Sequence, residues 1–317
     1  MIFLNKHKSR STLLLISAFL MLVSLSLWSC GGGGGDSTPP TPTGPVSSLL
    51  SVSQLKTWID NGYKDGNGNK VVVLDTSYLP NNVTDYNAGH IPGAIFVDFP
   101  NELVAVRSDG PMNVALMVNT GPQMDALVQR LGIDKNTTVV FTGHHIYWMT
   151  RAWWTFRYWG FPQNHLFVLN GKGTTAQSVW KAAGYALETT TPPAPTPSTF
   201  SVSSWKGNMD MFRAPLSEVQ LVAQKKIANC VMVDSRAESE WNAVVSATFA
   251  SAYAYRFNNS VWRPWELNLA GTNLGDPYSV ISVVGSATGN HVLKTPDQLL
   301  AEFTTQGFIG KNLVVDT

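Results

Sequence analysis

An α/β protein of two consecutive domains, each a short parallel sheet flanked by helices, is the architecture this sequence predicts. Two β-branched runs carry the expectation: Val71-Val72-Val73-Leu74, which ends at Asp75, and Val231-Met232-Val233, which ends at Asp234. Helical patterns alternate with these runs and their successors, and strands alternating with helices imply parallel pairing with helical crossovers. A Pro/Thr-rich stretch from Thr189 to Ser198, with Pro192, Pro193, Pro195 and Pro197, separates two segments of comparable size. Such composition favours an extended, weakly packed connection. The 317 residues accommodate two domains of ordinary size.

The first element is not part of either fold. Lys6, Lys8 and Arg10 precede an apolar run from Leu13 to Leu27, and Leu27-Trp28-Ser29-Cys30 stands directly before Gly31 to Gly35. This resembles a bacterial lipoprotein signal, in which a short apolar helix precedes a cysteine that accepts a diacylglyceryl group. Cys30 is then the lipidated N-terminus, residues 1–29 are removed, and residues 30–48, rich in Gly, Thr and Pro, form a tether. Removing the three basic residues takes the formal charge from +1 to −2. The resemblance places the protein on the periplasmic side or cell surface, anchored by lipid, with Gly31 rather than Asp after the cysteine favouring the outer membrane.

Residues 49–190 form the first domain. Its strands are expected at 71–74 and 138–141, the second preceded by a helix patterned on Met124, Leu127, Val128 and Leu131. Arg151 to Trp159 reads as a buried helix, so Trp153 and Trp154 are core packing rather than a ligand cage. After a linker at 191–200, the second domain (201–317) repeats the order. A helix carries Val219, Leu221 and Val222, a strand spans 231–233, a helix runs from Pro296 to Phe303, and a strand is expected at 313–316.

Charge and cysteine content exclude several functions. With 22 Lys+Arg against 21 Asp+Glu the chain has no general basic field, so nucleic acid is not an expected partner. Cys30 and Cys230 are the only cysteines, too few for a disulfide framework or a cysteine-based zinc site. Cys230 lies on the apolar approach to Asp234 and reads as an inert, strand-buried thiol. His144 and His145 are adjacent and lack acidic or Cys companions in sequence, so they read as loop residues. No metal and no cofactor is expected.

The motifs are more specific than the composition. Leu74-Asp75-Thr76-Ser77-Tyr78-Leu79-Pro80 is followed by Tyr86, by Gly89-His90-Ile91-Pro92-Gly93-Ala94, and by Phe96 and Asp98. Further on come Leu131-Gly132-Ile133-Asp134, Val139-Val140-Phe141, Arg151-Ala152-Trp153-Trp154-x-Phe156-Arg157 and Val168-Leu169-Asn170-Gly171. The second half adds Asp234-Ser235-Arg236-x-x-x-Glu240-Trp241 and Lys294-Thr295-Pro296-Asp297-Gln298-Leu299 leading to Leu313-Val314-Val315-Asp316-Thr317. Together they resemble the tandem-domain rhodanese-like thiosulfate and 3-mercaptopyruvate sulfurtransferases over residues 49–317. The resemblance implies two rhodanese-like domains, the first chemically silent. It also implies a sulfane sulfur carried from thiosulfate or a mercapto acid to a thiophilic acceptor, as a persulfide on a nucleophile that follows the last strand.

That nucleophile is expected right after Thr317, and no residue of this chain fills its role. The loop Thr142 to Thr150 of the silent half has no cysteine. Tyr78, Tyr147 and Trp148 match positions where the family places aromatics on the cleft between domains; core packing is an equal reading. His90 is expected to hydrogen-bond its own turn, and Asp234 with Arg236 to form a pair supporting the active loop. Two departures weaken substrate assignment. Ala247 to Ala252 replaces a second Gly-His-Ile-x-Gly-Ala turn, and Glu240 stands where vertebrate-type enzymes place an anion-binding arginine. With the sheet of the second domain incomplete after its last strand, three explanations are open. They are a non-catalytic binding or assembly module, an artefact of sequence definition, and, favoured here, a UGA codon read as selenocysteine. A selenol would ionise at neutral pH and extend the substrates to selenium anions and thiols, with a periplasmic redox partner.

Overall fold

The computed structural model describes residues 47–78, 83–109, 112–171, 175–205, 212–236, 241–242, 257–270 and 292–316. Cys30 with residues 1–29, Glu240 and the Ala247 to Ala252 turn lie outside the described residues.

The first sheet has five strands in the order β1-β7-β6-β2-β3, all parallel: β1 Leu49–Ser51, β7 Leu166–Asn170, β6 Thr138–Thr142, β2 Val71–Asp75 and β3 Ile95–Phe96. Every residue of β2 and β6 is buried, which is why both read as continuous apolar runs rather than alternating ones. The expected strands at 71–74 and 138–141 are each one residue longer here.

The crossover helices begin where the sequence supplies a cap. Ser51 accepts the Gln54 N–H at 3.2 Å and starts α1, Val52–Asp60, whose Leu55 and Trp58 turn inward three residues apart. After the single-turn α2, Val83–Ala88, a capping box of Thr120 and Gln123 starts α3, Gly121–Arg130. The helix α4, Ile146–Tyr158, follows β6, and a second box, Thr175 with Ser178, starts α5, Ala176–Ala182. Trp153 and Trp154 are half-buried and pack against the core, and the Trp153 indole N–H donates to Leu166 O at 3.2 Å.

A two-stranded antiparallel ribbon, β4 Val104–Asp109 with β5 Met112–Val118, projects beside this sheet. Its register shifts between Ala105 and Arg107, leaving Val106 bulged and exposed. No run of alternation announces it in the sequence.

The second sheet is β10-β8-β9, also parallel, from β8 Cys230–Asp234, β9 Ser260–Trp262 and β10 Asn312–Asp316. Helix α6, Val202–Trp205, precedes α7, Leu216–Ala223, which leads into β8. Helix α8, Pro296–Thr305, has Pro296 in its first turn and a Thr295–Gln298 capping box, and leads into β10. Among the described residues, Val233, Phe303 and Phe308 form a small apolar cluster here.

The segment between the sheets is strapped to the first one. Glu188 exchanges both backbone hydrogen bonds with His90, at 2.8 and 2.9 Å, and its carboxylate accepts the Gly93 N–H at 2.9 Å. Farther along, the Ser198 hydroxyl donates to Ile133 O at 2.8 Å, and Asp125 accepts the Val202 N–H at 2.7 Å and the Ser201 hydroxyl at 2.9 Å. Val202 is fully buried in the core of the first sheet, with Phe200 and Trp205 packed against it.

Candidate active site

Parallel α/β sheets bind ligands outside the carboxyl ends of their strands, and the candidate site lies at that edge. The two sheets present the same local ladder there. Asp75 ends β2 opposite Thr142 and Phe96, and Asp234 ends β8 opposite Asp316 and Trp262. In each half the first residue past the neighbouring strand donates its N–H back to that aspartate's carbonyl: Val97 to Asp75 and Arg263 to Asp234, both at 2.9 Å. In this register Phe99 and Trp265 are equivalent positions, as are Thr142 and Asp316.

The two aspartates are held differently. Asp234 is 1% exposed, and its Oδ1 accepts the Arg236 backbone N–H at 3.1 Å and Nε at 2.9 Å while Oδ2 accepts Nη2 at 2.6 Å. This is a bidentate pair closed across two residues. Asp75, fully buried, has no arginine: the Ser77 N–H and the Gln177 side-chain amide each donate to it at 2.9 Å. Burial pushes the Asp75 carboxyl above the usual carboxylate range, against the hydrogen bonds from Ser77 and the fields of His90 and His144.

His144 leaves the end of β6 and sets Nδ1 at 3.3 Å from Asp85 Oδ2 on α2. The aspartate that sequence proximity did not offer is thus supplied by the fold. His90 Nδ1 contacts Tyr86 O at 2.9 Å, its own turn, and the ring stacks on Tyr86 at 3.9 Å. The Tyr86 hydroxyl, bonded to Ala94 O, is pushed up to about 12, chiefly by burial and then by Asp75 and Glu188.

Tyr78, Tyr147 and Trp148 come together. Trp148 meets Tyr78 edge-on at 5.0 Å and Tyr147 at 4.7 Å, and Phe99 closes the triangle at 5.3 Å from Tyr78 and 4.9 Å from Trp148. His145 stacks on Tyr147 at 5.0 Å. Burial raises the Tyr147 phenol.

The residue that sequence reasoning missed is Trp265. Its N–H donates to Ser235 O at 2.9 Å, directly after Asp234, and its ring lies 5.7 Å from Tyr147. It carries the aromatic cluster of the first half onto the sheet end of the second. Only the equivalence with Phe99, visible once both ladders exist, marks it. Below it, buried Arg263 and Lys294 share the Glu302 carboxylate; Arg263 Nη2 contacts it at 3.1 Å and also donates to Asn268 Oδ1 at 3.2 Å. Burial lowers the Arg263 guanidinium, and Glu302 counters that. The Asn170 side chain at the end of β7 accepts the Leu293 N–H at 3.0 Å, a second tie between the halves.

Cys230 is the first residue of β8 and is half-buried, more open than a core thiol, and it stands at the strand end away from Asp234. Among the described residues no group of three or more His, Cys, Asp or Glu is arranged to hold a metal ion. Among them, too, no helix is long and apolar enough to cross a membrane.

Residues 55–172 match the family model of the rhodanese-like domain. This part of the chain is a rhodanese-like domain. The mitochondrial thiosulfate/3-mercaptopyruvate sulfurtransferase 1 of Arabidopsis thaliana is 30% identical over 154 residues, which is 47% of this chain and 38% of that protein. Sulfurtransferase 2 of the same plant is 30% identical over 150 residues, 45% of this chain and 40% of that protein. The chain thus matches about two fifths of the length of these curated relatives. In fold, a 3-mercaptopyruvate sulfotransferase from Escherichia coli with the rhodanese fold aligns at a TM-score of 0.60 and 19% identity, over 85% of this chain and 87% of that one. The anaerobic ergothioneine biosynthesis enzyme of Chlorobium limicola, solved with trimethyl histidine, aligns at 0.58 and 18% identity, over 86% and 62%. The rhodanese fold therefore extends through the second sheet.

Proposed function

We propose that this protein transfers sulfane sulfur from thiosulfate or a mercapto acid to a thiophilic acceptor, with the chemistry on the second rhodanese-like half. The observation that carries the reading is the repeated ladder. β10 runs beside β8 in register to Asp234–Asp316, which sets the carboxyl end of β10 next to the Asp234–Arg236 pair, and Trp265, just past β9, touches Tyr147. A Cys or selenocysteine at the position after Thr317 would there attack the donor's sulfane sulfur. The bond to the donor's remaining sulfite or carbon breaks as the persulfide (or selenenyl sulfide) forms, and an acceptor thiolate then takes the sulfur and releases the nucleophile. Asp234 and Arg236 are positioning residues, and Tyr78, Tyr147 and Trp148 belong to the cleft. The half built on the first sheet is the silent one and the half built on the second sheet the catalytic one. The export signal, the lipid on Cys30 and an outer-membrane, periplasm-facing location rest on the sequence pattern alone.

The test is thiocyanate formation from thiosulfate and cyanide. The 317-residue chain should show none above background, and the product of the reading frame continued past codon 317 should show it, with loss on replacing its first added residue by Ser. Robust turnover by the 317-residue chain overturns the assignment and directs attention to Cys230→Ser.

A further inference from the structure

We propose that the β4–β5 ribbon lies against the membrane surface and sets apolar side chains into the headgroup–acyl boundary, which leaves the candidate site facing away from the bilayer. This rests on the lipid-anchor reading of Cys30 and is independent of sulfur transfer. The ribbon turns apolar side chains outward at a cost in backbone strain. At its register shift Ala115 and Leu116 stand opposite Val106, and Leu116 holds φ +58°, a left-handed conformation that a residue other than glycine keeps only where its surroundings enforce it. The enforcing contact is Arg151, whose Nη2 donates to Leu116 O at 2.7 Å. Val106 is 66% exposed as a result, and Val114 and Leu116 are each 37% exposed. Bulges re-aim side chains, and clustered exposed apolar groups mark contact with a partner or a membrane.

The direction of the ribbon selects the membrane. Helix α4 starts at the carboxyl end of β6 and, as a crossover between parallel strands, runs back to the amino end, where β7 begins. Leu116, nearer the base of the ribbon, is held by Arg151 midway along α4. Arg107, paired with Val114 farther out, reaches the hydroxyl of Tyr158, the last residue of α4, at 3.5 Å. The ribbon therefore extends toward the amino ends of the strands. The chain enters the first sheet at that same end, through Ser47 and Ser48 ahead of β1, whereas Asp75 and His144 lie at the carboxyl end. Residues 31–46, between the expected lipid and Ser47, are rich in Gly, Thr and Pro. A flexible tether of that length has an average reach of about 20–25 Å. A bilayer held so near the amino end meets the ribbon before it meets the site.

The experiment places a thiol-reactive, environment-sensitive fluorophore at single cysteines in a Cys230→Ser background: Val106→Cys, Leu116→Cys and, on α2 beside Asp85, the exposed Thr84→Cys. The full chain, purified from the membranes of bacterial cells that make it, is reconstituted into vesicles of phosphatidylethanolamine and phosphatidylglycerol. Emission from positions 106 and 116 should shift to the blue and be quenched by lipids carrying a nitroxide on the acyl chain, and position 84 should do neither. Val106→Asp, added to the chain labelled at position 116, should remove most of the quenching, since an ionised carboxylate resists leaving water. Absence of quenching at 106 and 116, or equal quenching at 84, would overturn the proposal. So would a blue shift that appears without vesicles and grows with protein concentration, the mark of a second copy on the ribbon. The anchor is read separately, from the mass of the Cys30 peptide. Acylated Cys30 without quenching sinks the ribbon alone, and unmodified Cys30 with quenching intact sinks the anchor alone. Thiocyanate formation tests sulfur transfer and bears on neither.

Discussion

Replacing Arg236 by Met should destabilise the second half while leaving the first intact. Among the described residues the guanidinium supplies two of the three hydrogen bonds that reach the Asp234 carboxylate, at 2.9 and 2.6 Å, in a site where Asp234 is 1% exposed. Charge-assisted bonds contribute about 1.5–3 kcal/mol each. Removing one partner of a buried pair costs about 3–5 kcal/mol, because the other charge stays behind without compensation. A loss of that size is comparable to the whole stability of a small domain, and among the described residues of this half the packed cluster behind the pair is Val233, Phe303 and Phe308 with Val231 and Leu299 beside them. Urea unfolding followed by far-UV circular dichroism should therefore resolve two transitions in Arg236→Met, the later one at the wild-type midpoint. The double variant Asp234→Leu with Arg236→Met removes both charges and should recover most of the loss, a coupling of about 3 kcal/mol. If Arg236→Met costs less than about 1 kcal/mol, or if the double variant costs the sum of the singles, the pair does not hold the sheet end together.

Three further outcomes follow from the first half. Gly93 sits at φ +69°, and a Cβ there would collide with the Tyr63 phenol, so Gly93→Ala should lower the thermal midpoint by about 1–3 kcal/mol of stability, with Tyr63→Leu restoring part of it. Asp75→Asn should be neutral or stabilising at pH 7, since a folded-state pKa raised above the unfolded one means that stability falls as pH rises through it. The Gln177 amide, whose Oε1 has no partner, can turn over to accept from the new Asn, and the stability–pH curve of the variant should lose that decline. Asp65 is the opposite case. Burial raises its pKa, but hydrogen bonds from Thr138, Asn69 and Asn67 outweigh that and leave it below the ordinary value. Its contribution is present above the unfolded pKa and lost as pH falls through the folded one, so Thr138→Val should cost about 1 kcal/mol at neutral pH and shrink the acid-side loss.

What could be read from the chain was set by local chemistry. β2, β6, β8 and β10 announced themselves as β-branched runs closed by Asp or Thr, because a parallel strand buried on both faces has no alternation to preserve. Helices α3, α5 and α8 carry Thr caps within their first turn. The ribbon Val104–Val118 did not show, because its valines straddle a bulge and its register shifts between Ala105 and Arg107. Three-residue β1 and β9 and two-residue β3 are too short for any period to emerge; their pairing comes from neighbours distant in sequence. At the site, Tyr78, Tyr147, Trp148, Asp234 and Arg236 were named from motifs, whereas the pairing of His144 with Asp85 spans 58 intervening positions of chain and needed the sheet to close. Trp265 gave no signal, since one tryptophan among eleven has no distinguishing spacing until both ladders are in place.

The strap from Glu188 to Trp205 bears on how the molecule divides. The proline-rich stretch looks like the natural place to cut, yet a fragment ended at residue 190 would lose Val202 from its interior and the partners that Asp125, Gln129 and Ile133 hold in Val202, Ser198 and Ser201. The heritable unit of the first half is thus longer than its sheet. It carries its own fastening on the downstream side, and any recombinant or natural shuffling of this half has to take the stretch through Trp205 with it.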